Sequence, residues 1–264
     1  MKHAFSAIRD QPHYRHEAFI SGLKRVGFHV DARLPDRPPQ LGEVLVIWNR
    51  YSDREHTADA WEKKGGTVLV AENGYVGADA QGRQYYALAK HGHAGSGTWP
   101  VGDGSRWAQL GIDLKPWRAE GAHVVVFGQR GIGSRTMASP PEWHTHAEAR
   151  LRKITKRAVR VRPHPGKPAN DVEVIKDTQA QLAGAHAAVI WSSANGVRAL
   201  IEGIPVFHDA PRWICESAAV RGIEKVEEPK MDDAARLGAL ERMAWAQWTV
   251  DEIASGEPFA RLLA

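Results

Sequence analysis

Residues 187–211 read AAVIWSSANGVRALIEGIPVFHDAP and place small polar side chains between two apolar stretches. The first stretch is typical of a buried strand, and a helical pattern follows the polar residues directly. Ser192, Ser193, Asn195 and Gly196 therefore stand at a strand-to-helix junction, where the first backbone N–H groups of the helix have no partners within it. Hydroxyl, amide and N–H groups in one place suit an anion. We expect a pocket for a diphosphate here.

Two other strand ends carry residues that suit a phosphate. In the segment GQRGIG, Gly128 and Gly131 let the backbone approach a ligand closely, and Arg130 brings a positive charge. In the segment RPHPG, Arg162 can bind a phosphate through two parallel hydrogen bonds and His164 can donate one. Neither segment matches a dinucleotide fingerprint or a P-loop, because the glycine spacing differs and no GK[ST] follows. A turn that binds no ligand stays open as the alternative for both segments.

Polar residues also follow two apolar runs in the first half of the chain. Asn49 and Arg50 end the run EVLVIWN, and Glu72-Asn73-Gly74 follows the run TVLVA as a polar loop. Ligands of open α/β sheets bind outside the carboxyl ends of the strands. Four such junctions occur in one chain, namely Asn49-Arg50, Glu72-Asn73-Gly74, Gln129-Arg130-Gly131 and Ser192–Gly196, and we therefore expect a binding cleft.

Two histidine-containing segments, HGH at 91–93 and WHTH at 143–146, raise the question of a metal ion. Neither has a carboxylate partner at a set spacing, so we expect no metal site there. The chain has a single cysteine, Cys215, which excludes an internal disulfide and a multi-cysteine zinc site.

The elements that must position these residues alternate between strand and helix patterns, which predicts an α/β protein with parallel sheets. Strands are expected at 43–49, 67–75, 186–193 and 204–209, within 122–134 as a strand that enters a glycine loop, and within 158–166 as a strand with a proline-bounded exit. Helices are expected at 17–27, with a short strand directly after Gly27, at 52–66, 146–157, 177–185 and 196–203, and at 232–256 as one or two helices. The glycine-rich residues 76–118 are interpreted as a long loop. We predict two Rossmann-like parallel-sheet halves that face a cleft, with the C-terminal helices packing back. The expected domains are 1–118 and 119–264.

The charge and composition of the sequence indicate which partners and which cellular location to expect. Its 264 residues carry a net charge of +4, and residues 149–167, ARLRKITKRAVRVRPHPGK, are strongly basic and contain no acid. Such a stretch is either a solvated face or a surface that attracts phosphates. The N-terminal residues lack the apolar core of a signal peptide, and no apolar run is long enough for a membrane span. We expect a cytoplasmic location, which is the host cytoplasm if a phage encodes the protein.

Several of these segments together resemble a known family. RPHPG followed by SSANGVRALIEGIPVF is similar to the C-terminal half of GT-B glycosyltransferases, notably those of capsule synthesis and Kdo transfer, and VLVAENGY resembles a strand end of their N-terminal half. The closing ERMAWAQWTVDEIASGEPF is similar to tails of small phage-associated glycosyltransferase-like proteins. The resemblance implies a nucleotide-diphosphate sugar as donor substrate in the C-terminal half, an acceptor in the N-terminal half, and no obligatory cofactor or metal.

The sequence departs from this family at two positions. Arg198 stands where the family usually has a glutamate that holds the donor, so Glu202 is the acid that remains nearby. Asn73 stands where the family has an aspartate, so the base must be sought elsewhere. The candidates are Glu72, at the end of a buried strand, and His93 or Asp103 in the glycine-rich loop, because a group near the acceptor hydroxyl must take its proton.

The resemblance and the basic stretch lead to one expected function and several alternatives. We expect a glycosyltransferase that modifies a hydroxymethylated base in phage DNA, with double-stranded DNA as partner and an open oligomeric state. Acceptor contacts are assigned to Asn49, Arg50, Trp99, Arg106 and Trp107, since an aromatic ring can stack on an extruded base. The alternatives are a capsule-like saccharide acceptor, a non-catalytic shell that binds nucleotide or nucleic acid, and a nucleotide-sugar epimerase.

Overall fold

A computed structural model describes residues 2–78, 82–166 and 171–264, and for residues 171–175 it describes the backbone alone. Its strands are, in chain order, β1 (Lys2–Ser6), β2 (Phe28–Asp31), β3 (Val44–Trp48), β4 (Thr67–Ala78), β5 (Gln84–Lys90), β6 (His123–Phe127), β7 (Ala158–Arg162), β8 (Ala185–Ile190), β9 (Val206–His208), β10 (Val220–Arg221) and β11 (Gln247–Thr249). Its α-helices are α1 (His16–Arg25), α2 (Asp53–Lys63), α3 (Ser105–Leu110), α4 (Trp143–Ile154), α5 (Asp171–Leu182), α6 (Asn195–Ile201), α7 (Asp233–Ala244), α8 (Val250–Ser255) and α9 (Glu257–Leu262), with 3-10 turns at Pro12–Tyr14 and Glu216–Ala218.

The contacts within the chain divide it into two units. The first consists of Met1–Arg106, Gly133–Thr136 and Arg242–Ala264, and the second of Trp107–Ile132 and Met137–Glu241. The sequence-based boundary at residues 118 and 119 differs from this division at three places. Residues 107–118 lie in the second unit, and residues 133–136 and 242–264 lie in the first.

The sheet of the first unit has the strand order β11-β5-β4-β3-β1-β2. The strands β2, β1, β3 and β4 are parallel, whereas β5 and β11 run antiparallel to their neighbours. The run VLVIW of β3 is buried along its whole length, as expected for a strand covered on both faces. Alternate residues of β3 pack into two cores, one that contains Phe19 and Phe259 and another that contains Trp61.

The C-terminal residues join the first unit through strand pairing and helix packing. β11 pairs with β5, and the buried side chain of Gln247 accepts a hydrogen bond from the backbone of Tyr75 at 2.9 Å. Gly22 in α1 lies so close to the terminal helices that a Cβ atom there would fall 2.0 Å from the carbonyl oxygen of Ile253. The expected packing back of terminal helices is therefore present, although β11 interrupts the stretch 232–256 that was predicted as helix.

The sheet of the second unit is parallel throughout, in the order β10-β9-β8-β6-β7. Its central strands β6 and β8 are completely buried. Trp143 and Leu151 of α4 pack on Val124 and Val126 of β6, which fixes one face of the sheet. The carboxyl ends of β6, β7 and β8 therefore present their loops at one edge.

Two features of the predicted first half are wrong. Glu72, Asn73 and Gly74 lie inside β4, where Glu72 pairs with Ala87, and do not form a loop. Residues 84–90 form β5, so residues 76–118 are not one long loop. A Cβ atom at Gly74 would come within 2.5 Å of the Cβ of Tyr85, which shows that this glycine permits close approach of two strands and does not mark a turn.

Among the described residues, none of the helices combines the length and the apolar run that crossing a membrane requires.

Candidate active site

The carboxyl end of the second sheet is organised by a glutamine that was not among the predicted site residues. Gln129 follows β6, and its side-chain oxygen accepts a hydrogen bond from the backbone amide of Ser192 at 2.6 Å, while its Nε2 lies 3.4 Å from the Ser192 hydroxyl. The amide of Gly128 also donates to the carbonyl of Arg162 at 2.8 Å. The predicted residues at the ends of β6, β7 and β8 are thus brought to one edge. In the sequence, the amide side chain next to Gly128 was the signal that could have identified Gln129 as a site residue.

Arg162 and His164 lie together at the end of β7. The Nε of Arg162 donates to Asp177 at 2.6 Å, and the arginine is almost fully buried. The Nδ1 of His164 accepts a hydrogen bond from the amide of Gly166 at 3.0 Å. Partial desolvation, together with the positive charges of Arg130 and Arg162, lowers the pKa of His164 to about 4. At neutral pH this imidazole is therefore uncharged and carries its proton on Nε2.

The loop before α6 satisfies its own amides. The amide of Asn195 donates to the Ser193 hydroxyl at 3.2 Å, and the amides of Gly196 and Val197 donate to the carbonyls of Ser193 and Ala194. The expected open helix N-terminus is therefore largely closed, because the first turn forms short i to i+3 hydrogen bonds. Ser192, Ser193, Asn195 and Gly196 nonetheless lie next to one another. The serines and Asn195 offer a ligand their side-chain hydroxyl and amide groups.

Glu202 lies at the other end of α6. This helix has seven residues, which corresponds to a length of about 10 Å. Its carboxylate forms an ion pair with Lys115. The structure therefore does not bring Glu202 together with the serines and Asn195 that precede the helix. Gly131 has a φ of 68°, a conformation that favours glycine, and its backbone lies against Ser139.

In the first unit, the structure brings Glu72 and His93 close together. One carboxylate oxygen of Glu72 accepts hydrogen bonds from the Tyr75 hydroxyl at 2.6 Å and from the amide of Ala94 at 2.7 Å. His93 precedes Ala94 and is buried, and its Nδ1 lies 3.4 Å from the amide of Arg50, which can only donate. That contact places the imidazole proton on Nε2. His93 therefore presents an N–H donor at Nε2, and Glu72 presents carboxylate oxygens, which accept hydrogen bonds.

The guanidinium of Arg50 is occupied by neighbouring carboxylates. Its Nη2 donates to Asp59 at 2.6 Å and to Glu62 at 2.9 Å, and its Nη1 donates to Glu62 and to the carbonyl of His91. Partial burial opposes ionisation of Glu62, but hydrogen bonds from Arg50 and His91 hold its pKa below the ordinary value. The network joins α2 to the loop that carries His93, so Arg50 positions this loop. Its predicted contact with an acceptor stays untested.

Strained backbone lies around the same loop. Among the described residues, six non-glycine residues have positive φ values. Four of them follow β3 or β5, namely Asn49 (54°), Ser52 (51°), His91 (70°) and Ala94 (54°), whereas Arg15 and Glu142 precede helices. Each such conformation costs energy unless the surrounding structure enforces it, and such positions cluster at functional sites. The strain therefore supports a functional role for the ends of β3 and β5.

The remaining predicted residues of the first half have structural partners. Arg106 is buried, forms an ion pair with Glu252 at 2.8 Å and lies over the ring of Trp248. Asp103 accepts hydrogen bonds from the hydroxyl and amide of Ser105, and these lower its pKa. A carboxylate with a lowered pKa is a weaker base, which makes Asp103 a less suitable candidate than Glu72.

The two predicted tryptophans belong to different units. Trp107 is buried at the start of the second unit. Trp99 packs on the core of the first unit and donates to the carbonyl of Arg242 at 3.0 Å. The structure therefore does not gather the predicted aromatic residues into a stacking platform within either unit.

The basic stretch is matched by acids that come from elsewhere in the chain. The ion pairs are Arg150 with Asp209 and Glu224, Arg152 with Glu148, Arg157 with Glu227, and Arg162 with Asp177. Lys167, its last residue, lies outside the described residues. The segment contains no acid in sequence, yet folding places carboxylates beside four of its five arginines, and Arg160 is the exception among its described residues. The expectation of a strongly positive surface for DNA loses its main support.

The two units, each built on a Rossmann-like sheet with parallel strands, define an α/β fold of the GT-B type, which confirms the predicted fold class. One similar solved structure is a chain of Thermosulfurimonas dismutans KpsC described as a β-Kdo 2,7 transferase, with a TM-score of 0.52, 15% identity and coverage of 100% of both chains. Another, described as the β-Kdo 2,4 transferase of the same protein, has a TM-score of 0.51 and 14% identity, with 92% of this chain and 89% of that chain covered. No family model and no curated protein matches the sequence.

Proposed function

We propose that the protein is a glycosyltransferase that moves a sugar from a nucleotide-activated donor to a hydroxyl group of a saccharide. The observation that carries this proposal is the likeness of the whole chain to two solved chains described as Kdo transferases. At 15% and 14% identity that likeness concerns the fold, so the assignment of chemistry rests on the residues described above.

The carboxyl end of the second sheet is proposed as the donor site. His164 presents an uncharged Nε2–H, Arg130 and Arg162 supply positive charge nearby, and Ser192 is held in place by Gln129. Hydrogen bonds to a phosphate oxygen from such groups are charge-assisted and therefore strong. Binding of an anion would also raise the pKa of His164, because a negative charge favours the protonated imidazole.

Glu72 is proposed as the general base for the acceptor. One of its oxygens is held by Tyr75 and Ala94, which orients the carboxylate so that the second oxygen can take the proton of the acceptor hydroxyl. As that oxygen forms a bond to the anomeric carbon of the donor sugar, the bond from this carbon to the donor phosphate breaks and the nucleotide leaves with the electron pair. His164 and the arginines near it would stabilise the negative charge of the leaving group.

The saccharide acceptor is preferred to DNA for two reasons. The solved chains of similar fold are described as transferases of Kdo, a sugar. Carboxylates also pair with four of the five arginines in the basic stretch that suggested a nucleic-acid surface. The DNA acceptor therefore has no structural observation in its favour.

Incubation with a panel of sugar nucleotides, both mono- and diphosphates, would test the proposal. The acceptors would be oligosaccharides and duplex DNA with hydroxymethylated bases, and the readout would be nucleotide release together with the mass of the acceptor. Release that requires an oligosaccharide supports the proposal. Release that requires DNA would overturn the acceptor assignment, and nucleotide binding without transfer to any acceptor would indicate a non-catalytic shell.

A further inference from the structure

Two histidines and an aspartate converge at the edge of the first sheet, away from every residue discussed above. His3 of β1 and His29 of the edge strand β2 are direct neighbours in the parallel register, and Asp31 is paired with Phe5 on the same face. The two imidazole rings are stacked with their centroids 4.6 Å apart. Strand register thus places the three side chains together.

The distances between the polar atoms of these three side chains are close to those between the ligand atoms of a metal site. The Nδ1 of His3 and the Nε2 of His29 each lie 3.6 Å from an oxygen of Asp31, and one atom from each residue lies within 4.8 Å of the others. In a tetrahedral zinc site with bonds of about 2.0–2.1 Å, ligand atoms stand about 3.4 Å apart. The two nitrogen–oxygen separations of 3.6 Å, each to a different oxygen of Asp31, are close to that spacing.

The Nδ1 of His3 is buried and has no hydrogen-bond partner among the described residues. Its 3.6 Å separation from Asp31 exceeds the length of a hydrogen bond. Because a buried polar atom without a partner costs free energy, a ligand of this nitrogen would stabilise the fold. A cation bound between the three side chains would satisfy it.

This part of the sheet is accessible to solvent, since the side chain of His3 is one-third exposed. The connection between β2 and β3 crosses β1 through residues 32–43, which form no helix. A concavity of about 550 Å³ remains beside His3, lined also by Lys2, Arg37 and Glu43. The charge of Arg37 is offset by its ion pair with Glu43, whereas Lys2 forms no ion pair with the described residues. His29 and Asp31 are about half exposed, so an ion can reach them.

We propose that His3, His29 and Asp31 bind a divalent transition-metal ion of the Zn²⁺ type, with water in the remaining position. Imidazole nitrogens favour zinc and its neighbours, and Mg²⁺ or Ca²⁺ prefers sites made of oxygen atoms. The bound ion joins the edge strand β2 to β1. This proposal is independent of the proposed transferase reaction, because the cluster shares no residue with the donor or base sites.

Equilibrium dialysis against Zn²⁺, and against Co²⁺ with its visible absorption as readout, would test the site in the full chain. We expect one ion per chain at this site and a rise of Tm with added Zn²⁺. His29→Gln and Asp31→Asn, both at exposed positions that tolerate substitution, should each weaken binding at least ~10-fold. His56→Ala, which removes an exposed histidine of α2, is the matched control and should bind as the parent protein does.

The Mg²⁺ ion serves as the chemical control and should not displace Zn²⁺. Equal Zn²⁺ affinity in the parent protein, His29→Gln and Asp31→Asn would overturn the proposal, as would the absence of Zn²⁺ binding by the parent protein. In that case the cluster acts only as a histidine–aspartate ion pair.

Discussion

Glu72 and Ala94 are joined by a hydrogen bond of 2.7 Å from the backbone amide of Ala94 to the Glu72 carboxylate. This bond links the interior of β4 to the loop that follows β5, and it brings His93, the neighbour of Ala94, to the same place. Ala94 has a positive φ of 54°, so the amide is held in a conformation that the free chain would avoid. The carboxylate and the strained loop therefore form one positioned unit.

We first predict that Glu72→Gln lowers kcat at least ~100-fold and leaves donor affinity nearly unchanged. The amide keeps the shape of the side chain and can still accept the Ala94 hydrogen bond, but it cannot take a proton. Single-turnover kinetics would measure the rate of sugar transfer, and calorimetry would measure the donor affinity separately. Glu120→Gln, at an exposed position of the second unit, is the matched control. Full turnover in Glu72→Gln would show that another residue is the base, and His93→Asn would be the next variant to measure.

Continuous apolar runs made several strands of both sheets predictable from the sequence. β3, β6 and β8 are examples, and each is buried along its whole length. The loops at their carboxyl ends could be placed for the same reason, because parallel strands end at a common edge.

Elements that depend on distant partners could not be predicted in this way. Asn73 and Gly74 have the composition of a turn, yet pairing of Asn73 with Tyr86 of β5 keeps them extended. β11 consists of three residues and exists because β5 offers it a free edge. The partners of Arg50 and Arg106 could not be identified from the sequence either. Glu252, for example, lies 146 residues from Arg106. Only the fold shows that these arginines have structural contacts.

Arg162 and Asp177 give a second prediction, on donor binding. Arg162→Ala should weaken the binding of a nucleotide by about 1.5–3 kcal/mol, which is the scale of a hydrogen bond to a charged group. Asp177→Asn should keep or increase the affinity, because it removes the carboxylate that now holds the Arg162 Nε at 2.6 Å. Isothermal titration calorimetry would measure both variants. Unchanged affinity in Arg162→Ala would exclude this residue from the donor site.

The lowered pKa of His164 gives a third prediction, on stability. The folded pKa is about 4 against an ordinary value of 6.5, so between these values the unfolded chain binds more protons than the folded chain. The free energy of unfolding must then fall as the pH decreases below 6.5, and this contribution is lost completely near pH 4. Solvent at the exposed side chain screens part of the effect.

His164→Asn isolates this contribution, because the asparagine does not titrate. Urea unfolding of both proteins should therefore show a smaller loss of stability in the variant between about pH 7 and pH 4. Parallel pH profiles for the two proteins would contradict the lowered pKa.

A fourth prediction distinguishes a structural Arg106 from one that binds the acceptor. Its side chain pairs with Glu252 and donates to the carbonyls of Ala244 and Gln247. Arg106→Ala should lower the free energy of unfolding by about 3 kcal/mol, since it leaves buried acceptors and a partly buried carboxylate unpaired. Arg261→Ala, which breaks an exposed ion pair with Glu257, should cost less than about 1 kcal/mol. If Arg106→Ala instead raised the acceptor KM without a loss of stability, the acceptor role would stand.

The last prediction concerns duplex DNA and follows from the ion pairs of the basic stretch. Within the described part of the chain, Lys153, Lys156 and Arg160 are exposed and have no carboxylate partner, whereas the arginines at 150, 152, 157 and 162 are paired. The three free cations of this stretch can neutralise at most three phosphates, so DNA binding through its described residues should have a slope no steeper than about −3 in log K against log [salt]. Fluorescence anisotropy of a labelled duplex would measure this slope. A slope of about −5 or steeper, flattened by replacing Lys153 and Lys156 with alanine, would show that the paired arginines release their carboxylates to bind DNA and would restore the DNA acceptor.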